Sequence, residues 1–589
     1  MTAFCRLLPV LFCLVLPAAF ARADTPPDLL VLGGWSLTAP HPEDAALTTD
    51  GDTVAVTVRT PSVPFYSIQL VRGLPADIPA GHRVRLHFRA RSATLNPLRV
   101  SLEKDSVPYT ALADATLALT PQWQEKTITG PSPGYGPGGV SAHFQLGQQA
   151  GTRELADITA ADLGPDPALA AARAALQPAQ IEARIDRYRK GTLTVRVVGA
   201  NSKPIPGAQV TLTETRSAFL FGANIFGLNP ADTSAAQKTY QTEFTGLFNY
   251  ATLPFYWGGF EPTQGQPYNA QLQDKAHWCV AHGITPKGHP LLWHQLWPAW
   301  APDTADAAIP LLHARVSDLV PRFSDTIHYW DVVNEASSSA QGQKPPNGES
   351  RWVVRDGAAS VVETALGWAR AAGKGHTETF LYNDYDTGAA NLALLAQLQT
   401  DKQLPDAIGI QSHMHSGNWP MEKVWAVCEA FSRFGKPLHF TETTVLSGPH
   451  RDGIDYAGPP ATDWNTTPEG EAAQAVYVTQ LYTVLFSHPD VQAITWWDLS
   501  DRDAWLGAPA GLVRRDMAPK PAYTALMSLL HGKWWTQASG RTDAKGRFAC
   551  RVFYGDYILT VTDREGHTGT QTVVFPESAP PRTVTVRLP

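Results

Sequence analysis

The chain has 589 residues, of which 43% are hydrophobic, and its 47 basic and 54 acidic side chains give a formal net charge of −7. This apolar content excludes a wholly disordered chain, and an acidic balance without a Lys/Arg-rich block argues against nucleic acid as a partner. The length predicts about three to five domains. Eighteen tryptophans among only 17% charged residues favour a protein that handles neutral, flat-faced ligands such as sugars.

The first 23 residues have the pattern of a secretory signal peptide. Arg6 supplies the positive region, residues 7–20 are mostly apolar, and Ala21-Arg22-Ala23 is a small-x-small cleavage site. The alternative is an uncleaved anchor helix, although this apolar run is short and interrupted by proline. We expect a secreted or periplasmic protein that has no membrane contact once the signal is cleaved. Its three remaining cysteines are too few and too scattered for a disulfide framework.

Residues 28–164 are predicted to form a β-sandwich. Apolar and polar residues alternate with period two in several short runs that are separated by Pro- and Gly-rich joints, among them 53–58, 84–89 and 98–102. The segment also resembles the jelly-roll carbohydrate-binding modules that precede many secreted glycan hydrolases, through Trp123 before a strand and the ending Phe144-Gln-Leu-Gly147. Its tryptophans are either sugar platforms or ordinary core residues.

Two segments on either side of the centre are predicted to share a second, smaller β-sandwich. A helical connector at 166–190 leads into strand–turn–strand patterns at 191–215, and the same pattern returns at 541–589. Together they resemble one transthyretin-like sandwich, with Lys203-Pro-Ile-Pro-Gly-Ala208 in the first part and Thr542-Asp-Ala-Lys-Gly-Arg-Phe548 in the second. Two unrelated hairpins are the alternative.

Between residues 219 and 531, short apolar strands alternate with helix-period segments. Eight strands are predicted, at 219–226, 249–253, 284–289, 327–335, 379–385, 407–413, 438–442 and 493–499. Eight strand–helix repeats are the signature of a (β/α)₈ barrel, and the fold class is therefore α/β with β-sandwich additions. The alternative is a doubly wound open sheet, but no Gly-x-Gly-x-x-Gly follows the first strand.

Two of these strands end on a carboxylate. The fourth strand ends on Glu335 and the seventh on Glu442, and the C-terminal ends of barrel strands carry the chemistry in this fold. Strands four and seven lie nearly opposite each other, so both carboxylates face one cavity. Glycosidic bond cleavage needs such a pair, one to protonate the leaving oxygen and one to attack the sugar.

At these strand ends the motifs resemble glycoside hydrolase family 10, the retaining endo-β-1,4-xylanases. The matching stretches follow the family's order and are Gly288-His-Pro-Leu-Leu-Trp-His294, Trp330-Asp-Val-Val-Asn-Glu335, Tyr382-Asn-Asp-Tyr385, Ile410-Gln-Ser-His413, Phe440-Thr-Glu442, Trp497 with Trp505, and Pro519-Lys-Pro-Ala-Tyr523. The resemblance implies an endo-acting xylanase that needs no cofactor or metal and acts on a polysaccharide.

The resemblance also assigns roles to single residues. Glu335 is expected to be the general acid/base and Glu442 the nucleophile, with carboxyl groups about 5–5.5 Å apart. Asn334 is expected to bind the sugar 2-hydroxyl, Asn383 to support the aglycone side, and Gln411 and His413 to contact the two carboxylates. The glycone cleft, on the non-reducing side of the scissile bond, is expected to consist of His289, Trp293, Trp497 and Trp505.

Three positions depart from the family pattern. Where the family has Asn and Lys on the second strand this chain has Leu253 and Tyr256, and Thr444 replaces an Asp that orients His413. These changes affect the glycone side, where Asp498 and Asp501 are candidates to supply the missing polar contacts. Xylan is the expected substrate, and a different β-linked glycan is the alternative.

A non-catalytic polysaccharide-binding or sensing protein on a degenerate barrel is the second hypothesis. A metal-dependent hydrolase is a weaker third, because His289 and His294 are five residues apart on a strand-to-loop segment and His413 with His415 lacks a third carboxylate at ligand spacing. Oligomeric state is not predicted by the sequence.

Overall fold

The computed structural model describes residues 28–30, 34–62, 64–94, 96–105, 111–132, 134–136, 138–342, 346–373, 378–451, 454–577 and 582–589. The predicted signal peptide lies outside these residues. Among the described helices, none combines the length and apolar character that crossing a bilayer requires. The chain divides into two compact units, which meet in sequence between Ala171 and Ala172.

The first unit contains a β-sandwich of two antiparallel five-stranded sheets. Its strands are β1 (Ser36–Thr38), β2 (Ala45–Asp50), β3 (Thr53–Val58), β4 (Gln69–Gly73), β5 (His82–Ser92), β6 (Asn96–Lys104), β7 (Ala111–Leu119), β8 (Gln124–Pro131), β9 (Val140–Gln145) and β10 (Gly151–Pro165). One sheet has the order β1-β4-β9-β6-β7 and the other β2-β3-β10-β5-β8.

The core of this sandwich comes from the alternating apolar positions that the sequence predicts. Phe88 of β5 and Phe144 of β9 meet edge to face with ring centroids 5.0 Å apart. Trp35 packs on Phe144 at 5.6 Å, while the ring of Trp123 is covered by the guanidinium of Arg91 at 4.6 Å. A role of either tryptophan as a sugar platform stays a prediction.

A helical connector and two strands follow the sandwich in sequence, and the boundary between the two units falls within the first helix. Helices α1 (Pro167–Ala175) and α2 (Pro178–Arg189) precede β11 (Lys190–Val198) and β12 (Gln209–Ser217). Proline at the first helical position of α2 suits a helix start, because its missing N–H has no intrahelical partner there.

Eight parallel strands then close into a barrel. They are β13 (Leu220–Asn224), β14 (Tyr250–Pro254), β15 (Thr285–His289), β16 (Tyr329–Asn334), β17 (Thr379–Asp384), β18 (Ala407–His413), β19 (Leu438–Thr444) and β20 (Val491–Trp496). The strands are nearly all buried, as expected when helices cover the outer face and side chains fill the interior. The predicted fold class is therefore confirmed.

Helices surround the barrel and pack on it through one large apolar cluster. They are α3 (Ala235–Leu247), α4 (Trp257–Phe260), α5 (Asn269–Ala281), α6 (Ala305–Arg322), α7 (Ala336–Gly342), α8 (Gly348–Asp356), α9 (Ala358–Ala372), α10 (Ala389–Thr400), α11 (Met421–Ser432), α12 (Pro468–Ser487) and α13 (Pro521–Ser528). A 3₁₀ turn at Trp505–Gly507 follows the last barrel strand, and a π-helical turn at Leu529–Lys533 follows α13.

The chain returns after the barrel to the strands that preceded it. The final strands are β21 (Gln537–Arg541), β22 (Arg547–Phe553), β23 (Gly555–Thr562), β24 (Thr568–Phe575) and β25 (Arg582–Arg587). One sheet has the order β22-β11-β25 and the other β21-β12-β23-β24, so that each sheet combines strands from both sides of the barrel in sequence. Leu193, Val210 and Leu559 are fully buried between these two sheets.

Candidate active site

Glu335 is held in an unusual backbone conformation directly after β16. Its φ is +61°, in the left-handed region that costs a non-glycine residue about 1–3 kcal/mol. The turn is held by a backbone hydrogen bond from the Glu335 N–H to the carbonyl of Asn383, 2.8 Å away. The carboxyl group is thereby fixed at the C-terminal end of the barrel, where the fold places reacting groups.

Three neutral donors surround the Glu335 carboxyl. Its Oε1 accepts hydrogen bonds from Asn334 Nδ2 at 3.1 Å and Gln411 Nε2 at 3.0 Å, and its Oε2 accepts one from Trp293 Nε1 at 3.0 Å. Burial raises the pKa of Glu335 to about 8; the charge of Glu442 adds to this rise, and the bonds from Gln411 and Trp293 oppose it. At neutral pH the group is therefore mostly protonated.

Glu442 lies on β19 in a different electrostatic environment. Its Oε1 accepts a hydrogen bond from Asn383 Nδ2 at 2.7 Å, and its Oε2 lies 3.1 Å from His413 Nε2. Burial raises the pKa of Glu442, but His289, His413 and Lys287 outweigh burial and hold the pKa below its ordinary value. The two carboxyl groups therefore have opposite protonation states at neutral pH.

Side-chain amides connect the two carboxylates. Asn383 donates through Nδ2 both to Glu442 and, at 2.8 Å, to Asn334 Oδ1, while its own Oδ1 accepts from Thr441 Oγ1 at 2.5 Å. Gln411 Nε2 also lies 3.2 Å from Asn334 Oδ1. Asn383 is completely buried and holds the Glu442 carboxylate, while its expected support of the aglycone side stays a prediction.

A buried ion-pair network lies below Glu442. Asp331 Oδ2 is 2.7 Å from both Lys287 Nζ and His289 Nδ1, and the other ring nitrogen of His289 is 3.7 Å from Glu442 Oε1. Lys287 and Asp331 are fully buried. Neither residue is among the predicted site residues, although a charged residue inside a buried strand needs a partner and is in itself a signal.

Aromatic side chains form one wall of the site. The imidazole of His289 meets Trp497 edge-on at 5.7 Å, and that of His413 contacts Trp505 at 4.8 Å. Tyr256 packs edge-on against His289 at 5.4 Å and lies 5.3 Å from Trp293. The phenol hydroxyl of Tyr256 has no hydrogen-bond partner within the part of the chain that the structure describes.

All ten predicted site residues are brought together in this mouth, and each contacts at least one other member of the set.

The three positions that depart from the family pattern behave differently from one another. Leu253 is fully buried in the apolar cluster and presents nothing to a ligand. Thr444 takes over the missing Asp contact, because its hydroxyl lies 2.8 Å from His413 Nδ1 and leaves Nε2 free to donate to Glu442.

Asp498 and Asp501, the two candidates for the missing polar contacts, have different environments in the structure. Asp501 lies 2.7 Å from the buried Lys520 Nζ and accepts from the backbone of Gly511 at 2.7 Å, so its carboxylate is committed to the loop. Asp498 accepts from the Trp505 backbone N–H at 3.1 Å and lies 3.4 Å from Asn224 Nδ2. Asn224, at the end of β13, is not among the predicted site residues.

A further carboxyl that the sequence analysis missed is Glu349, in the first turn of α8. It is completely buried, and neither of its carboxyl oxygens has a hydrogen-bond partner among the described residues. Burial raises the pKa of Glu349 to about 8, and the charge of Glu335 adds to the shift. The sequence contains no signal for it, because it stands outside the strand-end motifs.

Comparison with known proteins gives a family match over the barrel. The sequence model described as glycosyl hydrolase family 10 matches residues 215–529, which is more than half of the chain. The chain is also similar to the anti-sigma-I factor RsgI6 of Acetivibrio thermocellus, with 26% identity over 65% of this chain and 46% of that protein. An endo-1,4-beta-xylanase/feruloyl esterase of Xylanibacter ruminicola is 27% identical over 47% of this chain and 40% of its own length.

The chain thus spans less than half the length of these two curated relatives. Among solved structures it is similar to xylanase 10B of Thermotoga petrophila in complex with xylobiose, with 22% identity and a TM-score of 0.45. That match covers 54% of this chain and 95% of the other.

Proposed function

Because this chain belongs to glycosyl hydrolase family 10, we propose that it is a secreted, retaining endo-β-1,4-glycanase that hydrolyses xylan. The observation that carries the proposal is the pair of buried carboxyl groups, Glu335 and Glu442, in one hydrogen-bonded network with opposite protonation states. Such a division of two carboxyls is the arrangement that acid–nucleophile catalysis requires.

In the first step, Glu442 attacks the anomeric carbon as a carboxylate and forms a covalent bond to it. The bond from that carbon to the glycosidic oxygen breaks, and the oxygen takes the proton of Glu335. The raised pKa of Glu335 supports this role, since the group is still protonated at neutral pH. The leaving portion of the glycan departs with a free hydroxyl.

In the second step, Glu335 is a carboxylate and removes a proton from water, which attacks the same anomeric carbon. The ester to Glu442 breaks, the sugar leaves with its original anomeric configuration, and both side chains return to their starting states. A separation of about 5–5.5 Å between the two carboxyl groups, which retention requires, stays a prediction.

The remaining residues assist these steps. Asn383 and His413 would hold the Glu442 carboxylate through hydrogen bonds at 2.7 and 3.1 Å. Asn334, whose amide already touches Glu335, is the donor we assign to the sugar 2-hydroxyl, where a bond that strengthens in the transition state lowers the barrier. Trp293, Trp497 and Trp505 with His289 would form the glycone wall.

The choice of xylan follows the named activity of relatives such as the xylanase/feruloyl esterase of Xylanibacter ruminicola. Secretion follows from the signal-like pattern of residues 1–23. The altered glycone positions leave a different β-linked glycan as the main competitor, and no cofactor is part of the proposed reaction.

Reducing-sugar release from xylan, β-glucan and mannan tests this function, with Glu442→Gln as the matched control. We expect xylan to be cleaved to a mixture of oligosaccharides, as an endo mode requires, and the variant to be inactive. A chain that binds these glycans and releases nothing from any of them would instead be the non-catalytic binding protein of the second hypothesis.

A further inference from the structure

Asp498 is an under-coordinated carboxylate at the edge of the reaction site. A carboxylate offers about four lone-pair positions, yet Asp498 has only two polar contacts in the described structure. One is the Trp505 N–H at 3.1 Å; the other, Asn224 Nδ2 at 3.4 Å, exceeds the usual range of about 2.7–3.2 Å. No cation lies within ion-pair distance of it in the described structure, whereas Asp501 has Lys520.

Burial without donors is unfavourable for such a group. Asp498 exposes 7% of its surface, the same fraction as Glu335. Burial raises the pKa of Asp498 to about 7, and the charges of Asp501 and Asp503 act in the same direction, against the hydrogen bond from Trp505 and the longer contact with Asn224. Additional hydrogen-bond donors at this carboxylate would lower the free-energy cost of burying it.

Tyr256 and Trp497, the residue before Asp498, both pack edge-on against the imidazole of His289. Burial raises the pKa of the Tyr256 phenol well above the ordinary value, and the charges of Glu442, Glu335 and Asp498 add to that shift. The phenol is thus within electrostatic range of all three groups. Phe226 connects the same elements, because its ring meets Tyr256 at 5.7 Å and Trp497 at 5.5 Å, edge-on in both cases.

We propose that Asp498 and Tyr256 form a sugar subsite beside Trp497, in which the carboxylate accepts hydrogen bonds from the hydroxyls of a neutral sugar and the phenol donates one. The inference rests on the proposed function, because it names the kind of glycan that this site prefers. A sugar bearing a carboxylate, such as a glucuronate branch, is disfavoured at this position, since it brings a like charge to Asp498 and supplies fewer donors.

Binding to a catalytically blocked chain tests this subsite apart from turnover. In the Glu442→Gln background, isothermal titration at a pH above 7, where Asp498 is mostly ionised, would compare linear xylohexaose with a xylohexaose that carries glucuronate on its non-reducing-end sugar. Asp498→Asn is expected to weaken xylohexaose binding about tenfold, equal to about 1.4 kcal/mol. The same change is expected to weaken binding of the glucuronate-bearing oligosaccharide less, so that the difference in affinity between the two oligosaccharides becomes smaller.

Tyr256→Phe provides a second variant that keeps the packing of the ring and removes only the hydroxyl. We expect it to weaken xylohexaose binding about two- to tenfold, as for the loss of one neutral hydrogen bond. The matched control is Asp274→Asn, which removes an exposed carboxylate from α5 on the outside of the barrel and is expected to change neither affinity.

The outcomes separate the inference from the proposed function. If neither Asp498→Asn nor Tyr256→Phe alters xylohexaose affinity, or if the blocked chain does not bind it, the subsite is wrong. If Asp498→Asn weakens the binding of both oligosaccharides equally, the charge of Asp498 does not discriminate between them, and the proposed preference for a neutral sugar is overturned. If the affinities change as expected while the unmodified chain hydrolyses nothing, the subsite stands and the proposed hydrolase activity fails.

Discussion

Asn383 Nδ2 lies 2.7 Å from Oε1 of Glu442, and the same nitrogen lies 2.8 Å from Oδ1 of Asn334. One buried amide therefore links the proposed nucleophile to the residue that precedes the proposed acid. The two carboxyl groups stand on strands far apart in sequence, and this shared contact holds their relative position.

Replacing Asn383 by alanine is expected to lower kcat about 10–100-fold, because a hydrogen bond to a charged group contributes about 1.5–3 kcal/mol. The loss of a donor to the ionised form is also expected to raise the pKa of Glu442. Steady-state kinetics across pH would show both, as a lower plateau and an acid limb moved to higher pH. An unchanged kcat in a folded variant would contradict the positioning role.

The pH dependence of kcat/KM is expected to be bell-shaped, because Glu442 must be ionised and Glu335 protonated in the free enzyme. With the pKa of Glu335 raised to about 8 by burial, activity should persist through neutral pH and fall above that value. Gln411→Leu removes a hydrogen bond that favours the ionised form, so its alkaline limb should move to higher pH. A limb that moves down, or stays in place, would speak against this assignment.

Glu349 is expected to make stability depend on pH. Its folded-state pKa of about 8 exceeds the ordinary value of 4.5, so the folded chain binds more protons than the unfolded chain between these two pH values. The stability that protonated Glu349 preserves is present below about pH 4.5 and is lost as the pH rises through 8. Glu349→Gln stays neutral and should escape this loss.

Melting temperatures of the unmodified chain and of Glu349→Gln at pH 5 and pH 8 check this expectation. The melting temperature of the variant should rise relative to that of the parent as the pH increases. The corresponding difference in the free energy of unfolding is of the order of a few kcal/mol at pH 8. A gap between the two proteins that is the same at both pH values would refute the buried, neutral state of this carboxyl.

Asp331→Ala is expected to destabilise the fold by about 3–5 kcal/mol, because it leaves Lys287 buried without its counter-ion. The double variant Lys287→Met with Asp331→Leu removes both charges and should recover much of that loss. Urea unfolding of the three proteins measures the difference. Equal stability of the single and double variants would show that the charge pair is not the cause.

The sequence predicted the barrel well because its strands are short apolar runs that end on polar residues. The predicted strand at 407–413 has the bounds of β18, and the strand predicted at 379–385 is one residue longer than β17. A parallel strand that is buried on both faces needs a continuous apolar run, and such a run is visible within a short stretch of sequence.

The contacts between distant strands were not predictable in the same way. Lys287 and Asp331 are 44 residues apart and meet only because β15 and β16 pair in the closed barrel. The role of Thr444 likewise depends on the register between β18 and β19, which places it beside His413. The position of Glu349 depends on how α8 packs, and no strand-end pattern marks it.

The most direct measurement of the central claim is mass spectrometry of the protein after reaction with a 2-deoxy-2-fluoro-β-xylobioside that has an activated leaving group. The fluorine slows breakdown of the covalent intermediate, so a glycosyl ester should accumulate on the attacking residue. We predict one fluoroxylobiosyl adduct, located on the peptide that contains Glu442 and absent from Glu442→Gln. An adduct on another residue, or an unlabelled protein that still cleaves xylan, would contradict the assignment of Glu442 as nucleophile.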